Sequence, residues 1–289
     1  MKNFWKKHSV EVILSLILLT GLGLILYPSV SNWWNSLHQT RAIASYAEDV
    51  GNVSAEEKQA MLEAARVYNE KLAKGERSFF LSEEEEAEYM SLLDVSGTGI
   101  MGYIQIPAID VYLPVYHGVD EATLQVAVGH IAGSSLPVGG SSTHCLLSGH
   151  RGLPSSKLFT DLDQMQEGDV FLLTVLDETL TYEVDQIRIV LPEEIEELAI
   201  VEGEDYCTLI TCTPYGVNTH RILVRGHRIE NMEGTLAVQR EVVKVPASVV
   251  VLVVGLPILA VILIVTLIYY RVKKPGKNEK EILEDLKKR

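Results

Sequence analysis

The middle of the chain consists of short apolar runs separated by Gly, Pro and Asp. Short runs that are bounded in this way are typical of β-strands joined by turns. Many short strands with few helical segments between them predict a mostly β domain that closes into a barrel with short helices, over residues 96–230. The runs lie at 103–106, 111–115, 170–175, 182–185, 208–212 and 221–225.

A helical pattern precedes the predicted barrel, in the segment 31–95. Ser54 and Glu57 have the spacing of a capping box, which marks the first turn of a helix. A second capping box, at Ser82 and Glu85, begins an acidic run that is typical of a solvated helix face. The first helix carries apolar residues on one face, and we expect this face to pack on the sheet: Met61, Ala65, Tyr68 and Leu72.

Two uncharged apolar runs are each long enough to cross a bilayer as a helix. Basic residues precede the first run and follow the second, so the positive-inside rule predicts cytoplasmic termini and an extracellular domain between two transmembrane helices. The predicted order is a cytoplasmic N-terminus (1–11), an anchor (12–30), a helical and lid segment (31–95), the barrel (96–230), a juxtamembrane linker (231–244), a second span (245–270) and a basic cytoplasmic tail (271–289).

A cleaved signal peptide is the rival interpretation of the first run, because Ala42-Ile43-Ala44 offers a cleavage site of the A-x-A type. That site lies far beyond the end of the apolar run. The distance favours an uncleaved anchor.

Charge follows the predicted topology. The whole chain carries −14, residues 1–32 carry +2 and residues 246–289 carry +4, which leaves −20 on the segment between them. A strongly acidic domain argues against nucleic acid or another anionic polymer as its partner. The negative charge is compatible with a basic partner such as a lysine-bearing protein. It is equally compatible with a charge that only keeps an exported domain soluble.

Cys212 and Arg221 are the first candidates for chemistry. Cys212 ends one predicted strand and Arg221 begins the next, and a loop of turn-forming residues, 213–219, separates them. In an antiparallel hairpin the end of one strand lies beside the start of the next. The sequence therefore predicts a thiol and a guanidinium at one edge of a sheet, where a substrate carbonyl could lie between them.

A thiol with the usual pKa of about 8.5 is mostly protonated at neutral pH, so a nucleophilic Cys needs a proton carrier nearby. His150 is the best candidate, because it follows the apolar run 145–147 at the point where a strand gives way to a loop. His220 is a weaker candidate for lining the site. No metal-ligand motif and no phosphate-binding glycine loop is present, so we expect neither a metal nor a cofactor.

The other two cysteines have different predicted roles. Cys207 lies five residues before Cys212, and this odd separation places the two side chains on opposite faces of a strand, with Cys207 in the core. Cys145 is also expected to be buried. A disulfide between Cys145 and Cys207 is the alternative to two free thiols, because disulfides form in exported proteins.

Residues 208–212 match the T-L-x-T-C signature of the sortases, the Gram-positive cysteine transpeptidases, and Arg221 falls where their catalytic arginine does. The stretches 148–163 and 212–221 resemble class C, the pilus-assembling sortases. The resemblance covers residues 101–228 and implies a sortase-type β-barrel. It also implies that His150, Cys212 and Arg221 are catalytic.

Class C sortases usually carry a lid with an Asp-Pro-aromatic tripeptide, whose Asp engages the catalytic arginine. This chain departs from that pattern, because the matching segment reads Ser78-Phe79-Phe80-Leu81 and offers rings without a carboxylate. Phe79 and Phe80 are therefore candidate lid residues that we expect to be held loosely. Packing of both rings on the barrel is the alternative.

The resemblance implies a membrane-bound enzyme that cleaves an LPXTG-like sorting signal between Thr and Gly and joins it to a pilin lysine. Two rivals remain. A housekeeping sortase would use cell-wall peptide amines instead, and the second apolar span and the class C-like stretches argue against it. A non-enzymatic pilus assembly scaffold would not need the set of His150, Cys212 and Arg221.

Overall fold

The computed structural model describes residues 2–75 and 78–231, together with isolated helical positions between 257 and 269. The chain divides into two compact units, one formed by residues 1–23 and 240–289 and the other by residues 24–239. The second unit contains the β-structure and every residue of the candidate site.

Eight strands close into a barrel in the order β1-β2-β3-β4-β7-β8-β6-β5, with β1 and β5 completing the circle. The predicted closed barrel is confirmed. The strands are β1 (Ile100–Ile106), β2 (Val111–His117), β3 (Val128–His130), β4 (Thr143–Ser148), β5 (Val170–Val175), β6 (Glu178–Val190), β7 (Asp205–Thr213) and β8 (His220–Ile229).

Two of the strand pairings in the barrel are parallel and the others are antiparallel. β2 pairs with β3 through a crossover that contains the one-turn helix α4 (Glu121–Leu124), and β4 pairs with β7. Three 3₁₀ turns lie between strands, at Pro107–Ile109, Leu162–Gln164 and Glu196–Leu198. Inward-facing residues of successive strands alternate with outward-facing ones and form the main apolar core.

Helices α2 (Ala55–Lys74) and α3 (Glu83–Ser91) begin as the sequence predicts. Each starts with a complete capping box, from Ser54 to Glu57 and from Ser82 to Glu85. The predicted apolar face of α2 contacts the core, with Ala65 and Tyr68 buried and Met61 and Leu72 half-buried against it. The acidic first turn of α3 is exposed, as expected.

Helix α1 (Lys2–Asn52) contains the one membrane-span candidate that length and composition identify among the described residues, Leu16–Asn52. This candidate overlaps the predicted anchor at 12–30. Within the unit of residues 24–239, the Tyr46 hydroxyl donates to the Met101 carbonyl and accepts from the Leu176 amide. Ile43, in the centre of the suggested cleavage site, is buried, and the uncleaved anchor stays a prediction.

The predicted second span, 245–270, lies outside the described residues apart from isolated helical positions. The predicted basic tail, 271–289, and residues 232–244 of the linker also lie outside them. A second transmembrane helix therefore stays a prediction.

Candidate active site

His150, Cys212 and Arg221 lie on three adjacent chain segments of the barrel. β7 lies between β4 and β8, and Cys212 is the register partner of Arg221 on β8. On the other side of β7 the parallel register pairs Ser148 with Ile210, so continuing it by two residues brings His150 beside Cys212. Neighbouring strands are about 4.8 Å apart, which places the three backbones in one row that spans roughly 10 Å.

This row lies on the outer face of the barrel. Cys212 is half-buried, whereas Cys207 on the same strand is fully buried in the main core. The two cysteines therefore take opposite faces, as their odd spacing predicts. Burial raises the pKa of the Cys207 thiol well above its usual value, so this thiol stays protonated.

Cys145 and Cys207 are register partners on β4 and β7, and both are free thiols in this structure. Both side chains are buried inside the barrel. Among the three cysteines, Cys212 is consequently the one with access to solvent, which is what a nucleophile needs.

The segment that carries His150 is held firmly against β7. The Gly149 amide donates to the Ile210 carbonyl at 3.0 Å, and the Thr211 hydroxyl donates to the Gly149 carbonyl at 2.7 Å. The Phe159 amide closes the following loop by donating to the His150 carbonyl at 3.1 Å. Backbone hydrogen bonds on both sides therefore set the position of His150.

A carboxylate faces the imidazole. Glu121 Oε2, at the start of α4, lies 3.6 Å from His150 Nε2. Glu121 is exposed, and its pKa is lowered, first by a hydrogen bond from the Gln125 amide and then by the neighbouring His150 ring. The carboxylate and the imidazole therefore lie within ion-pair distance of each other.

Arg151, directly after His150, ties the two loops of the site together. Its guanidinium donates to the Thr213 hydroxyl at 3.2 Å and pairs with Asp163. Gly152 follows with a φ of +77°, and an added Cβ there would lie 2.8 Å from the Tyr215 ring. Since Thr213 directly follows Cys212, Arg151 connects the segment of the histidine to the segment of the nucleophile.

The Arg221 guanidinium donates to the carbonyl oxygens of Asn218 and His220, at 3.2 Å and 3.0 Å. No carboxylate of the described residues lies within ion-pair distance of it. His220 lies one residue before Arg221, and its ring contacts the Thr219 hydroxyl at 2.9 Å. The loop carbonyls thus fix the guanidinium at the edge of the row while its charge stays available to an anionic group.

An apolar patch lies next to the row on the same outer face. It is formed by Leu146, Ile210 and Leu223, all buried. Ile210 and Leu223 are register partners two residues along the strands from Cys212 and Arg221, so the patch begins about 7 Å from the thiol row. An extended peptide crossing the row would find apolar surface at this distance.

The two candidate lid residues differ. Phe79 packs against the apolar patch and is half-buried, whereas Phe80 is 92% exposed. A tight turn at Ser78 directs the two rings differently. The Ser78 hydroxyl accepts a hydrogen bond from the Phe80 amide and donates one to the Phe80 carbonyl. Of the two rings, Phe79 is the one that covers the apolar patch.

Sequence reasoning missed Glu121 and Arg151. Arg151 stood inside a recognised stretch, but its partners Asp163 and Thr213 are distant in sequence. No sequence pattern marks Glu121 as a site residue. It approaches His150 because α4 lies in the crossover between β2 and β3, and this crossover depends on the order of strands in the barrel. Three other histidines are buried in the structure: His117, His130 and His144.

Comparisons with known proteins converge on one family. A family model described as "Sortase domain" matches residues 104–229. The structure superposes on crystalline sortase C1 from Streptococcus agalactiae with a TM-score of 0.65 and 50% identity, covering 66% of this chain and 100% of that one. A second similar structure is Streptococcus pneumoniae sortase C, which is described as giving insight into pilin substrate specificity. It superposes with a TM-score of 0.59 and 42% identity, covering 67% of this chain and 98% of that one.

Among curated proteins, Sortase A of Streptococcus agalactiae serotype III (strain NEM316) is 31% identical over 128 residues. The match covers 43% of this chain and about half of that relative, 51%. The range matched by the family model, 104–229, contains the row of candidate catalytic residues.

Proposed function

Because the chain belongs to the sortase family, we propose that it is a class C cysteine transpeptidase, which cleaves an LPXTG-like sorting signal between Thr and Gly and transfers the threonyl group to a pilin lysine. The observation that carries this proposal is the row of His150, Cys212 and Arg221 on the outer face of the barrel. One nucleophile, one proton carrier and one fixed cation are the groups that acyl transfer requires.

The chemistry has two steps. Cys212 gives its proton to His150, and the sulfur attacks the threonyl carbonyl carbon to form a tetrahedral oxyanion that the Arg221 guanidinium stabilises. The C–N bond to glycine then breaks, and the imidazolium protonates the leaving amine. A lysine amine attacks the resulting thioester, His150 takes its proton, the C–S bond breaks and an isopeptide bond remains.

The apolar patch supports a sorting signal as the substrate. Leu146, Ile210 and Leu223 offer a buried apolar surface about two residues from the thiol row, the spacing at which a Leu-Pro pair would precede the scissile bond. Phe79 covers this surface, so a substrate must displace its ring. Packing of Phe79 there supports a lid with an apolar contact in place of an Asp–Arg ion pair.

The choice of a pilin lysine as acceptor rests on the class C relatives and on charge. The segment 33–245 carries −20, and its loop between β6 and β7 exposes several glutamates. A lysine-bearing surface is complementary to this charge. The proposed location is the cell membrane, with two spans and an extracellular barrel.

The test uses the full-length chain in detergent, a quenched fluorescent LPXTG-like peptide and two competing acceptors. One acceptor is a folded pilin domain with its lysine, and the other is a cell-wall bridge peptide. We expect peptide cleavage with transfer to the pilin lysine, and no reaction with Cys212→Ala.

Preferred transfer to the bridge peptide would indicate a housekeeping sortase. Cleavage at the wild-type rate by Cys212→Ala would overturn the nucleophile. Pilus assembly that survives Cys212→Ala in cells, without isopeptide bonds, would indicate a non-enzymatic scaffold.

A further inference from the structure

The contact between Glu121 and His150 is not used by the three-residue mechanism. Glu121 Oε2 lies 3.6 Å from His150 Nε2, so the carboxylate faces one particular ring nitrogen. This distance is that of an ion pair rather than of a hydrogen bond, and a carboxylate there favours the ring form that carries a proton on Nε2. Nδ1 is then the nitrogen that can exchange protons.

The fold presents Glu121 in a fixed position. Helix α4 has an N-cap, because Asp120 accepts a hydrogen bond from the Thr123 amide at 3.0 Å. The preceding turn lies directly on β3, since a Cβ added to Gly129 would lie 2.2 Å from the Gly118 carbonyl oxygen. Gly118 itself has a φ of +74°, which glycine adopts without strain.

Gln125 completes the support from the next turn of α4. Its amide donates to Glu121 Oε1, which leaves Oε2 directed at the imidazole. In the logic of a triad, Cys212 is the nucleophile, His150 the base and Glu121 the third group that orients the base, and Gln125 supports Glu121.

Charged side chains on the loop that follows His150 are paired with one another. Arg151 is paired with Asp163, and the Lys157 ammonium lies 2.8 Å from the Asp161 carboxylate. Arg221 lies about two strand spacings away, on the far side of Cys212. Of the carboxylates on the described elements, Glu121 is the one within ion-pair distance of the His150 ring.

We propose that Glu121 is a positioning residue for His150. Its carboxylate holds the ring through Nε2, stabilises the imidazolium that forms when Cys212 gives up its proton, and leaves Nδ1 to exchange protons with thiol and substrate. This inference rests on the proposed function, and it adds a member to the site that the family motif at 148–152 and 208–212 does not contain.

The experiment measures alkylation of Cys212 by iodoacetamide between pH 5 and pH 9, in the full-length chain in detergent. Cys145 and Cys207 are buried, and Cys212→Ala gives the background. The variants are Glu121→Gln, Glu121→Asp and Gln125→Ala. Glu63→Gln makes the same charge change on an exposed face of α2 and is the matched control.

We expect Glu121→Gln to lower the alkylation rate on the acidic side of the profile by about two- to fivefold, the range that an exposed ion pair can supply. Glu121→Asp should restore part of the loss, Gln125→Ala should cause a smaller loss, and Glu63→Gln should cause none. ¹⁵N NMR of histidine-labelled protein, assigned with a His150→Gln variant, should show the Nε2–H tautomer in the wild type and a mixture in Glu121→Gln.

An unchanged alkylation profile and tautomer in Glu121→Gln would overturn the proposal, and so would an equal loss in Glu63→Gln. Alkylation does not depend on the identity of the peptide substrate. A failure to cleave any sorting peptide, with the Glu121 effects intact, would therefore count against the proposed function alone.

Discussion

Gly149→Ala should disturb both the stability of the barrel and the position of His150. An added Cβ would lie 2.7, 2.9 and 3.2 Å from three atoms of the Phe159 ring, whereas ordinary contacts begin at 3.4 Å. The ring is fully buried and cannot swing away. The Gly149 backbone is also fixed, because its amide and carbonyl groups are both bonded to β7.

The magnitude follows from this double constraint. Overpacking of a well-packed core typically costs about 1–3 kcal/mol. For a domain of about 150–250 residues, each kcal/mol lowers the melting temperature by roughly 2–4 °C. Phe159 bonds the His150 carbonyl, so a displaced ring moves the imidazole as well. A misplacement on the order of 1 Å can cost about 100-fold in rate, and we expect kcat/KM to fall at least about tenfold.

The assay combines thermal unfolding, followed by near-ultraviolet circular dichroism, with kcat/KM for a sorting peptide. Gly51→Ala in α1 is the control, because an added Cβ there meets nothing within 4 Å. The double variant Gly149→Ala/Phe159→Leu provides space for the methyl group. We expect its destabilisation to be smaller than the sum of the two single changes by about 1 kcal/mol or more.

Wild-type melting and wild-type kcat/KM in Gly149→Ala would refute this reasoning. Strict additivity in the double variant would also refute it, because it would show that the methyl group does not meet the ring.

Three further predictions concern the same site. Arg221→Lys should lose most of its kcat/KM although the charge is kept, because an ammonium cannot reproduce the planar donors of a guanidinium; retention of more than about half of the wild-type value would contradict the oxyanion role. Phe79→Ala should raise the rate of Cys212 alkylation by less than about tenfold, because Phe79 packs on the patch, and Phe80→Ala should leave the rate unchanged, because Phe80 is 92% exposed. A tenfold or larger rise with Phe79→Ala would show that this ring closes the site firmly. Arg151→Ala should destabilise the barrel by about 2 kcal/mol through loss of charge-assisted hydrogen bonds, and this destabilisation should be smaller in an Asp163→Asn background. Equal losses of stability in both backgrounds, measured by thermal melting, would show that Arg151 and Asp163 are not coupled.

The barrel and the pairing of Cys212 with Arg221 could be predicted from the sequence because they depend on local patterns. Short apolar runs between turn residues mark the strands, and the hairpin between β7 and β8 pairs Cys212 with Arg221 over a short loop. The pairing of β4 with β7 could not be predicted in the same way. Its partners lie about 60 residues apart, and nothing in either strand specifies the other.

Which of the two phenylalanines packs on the apolar patch, and the acidic neighbour of His150, could not be predicted from the sequence, for related reasons. Phe79 and Phe80 are equivalent as residue types, and the turn formed by Ser78 directs one inward and the other outward. Glu121 approaches His150 because β2 and β3 are parallel and need a crossover, which carries α4 to the end of β4.

The most direct test of the central claim is intact-mass analysis of the full-length chain after brief mixing with an LPXTG-like peptide and no amine acceptor. We predict a covalent adduct with the mass of the peptide fragment that ends at Thr, located on Cys212 by peptide mapping and removed when a lysine amine is added. An adduct on another residue, or peptide cleavage without an adduct at a rate that Cys212→Ala preserves, would contradict the account.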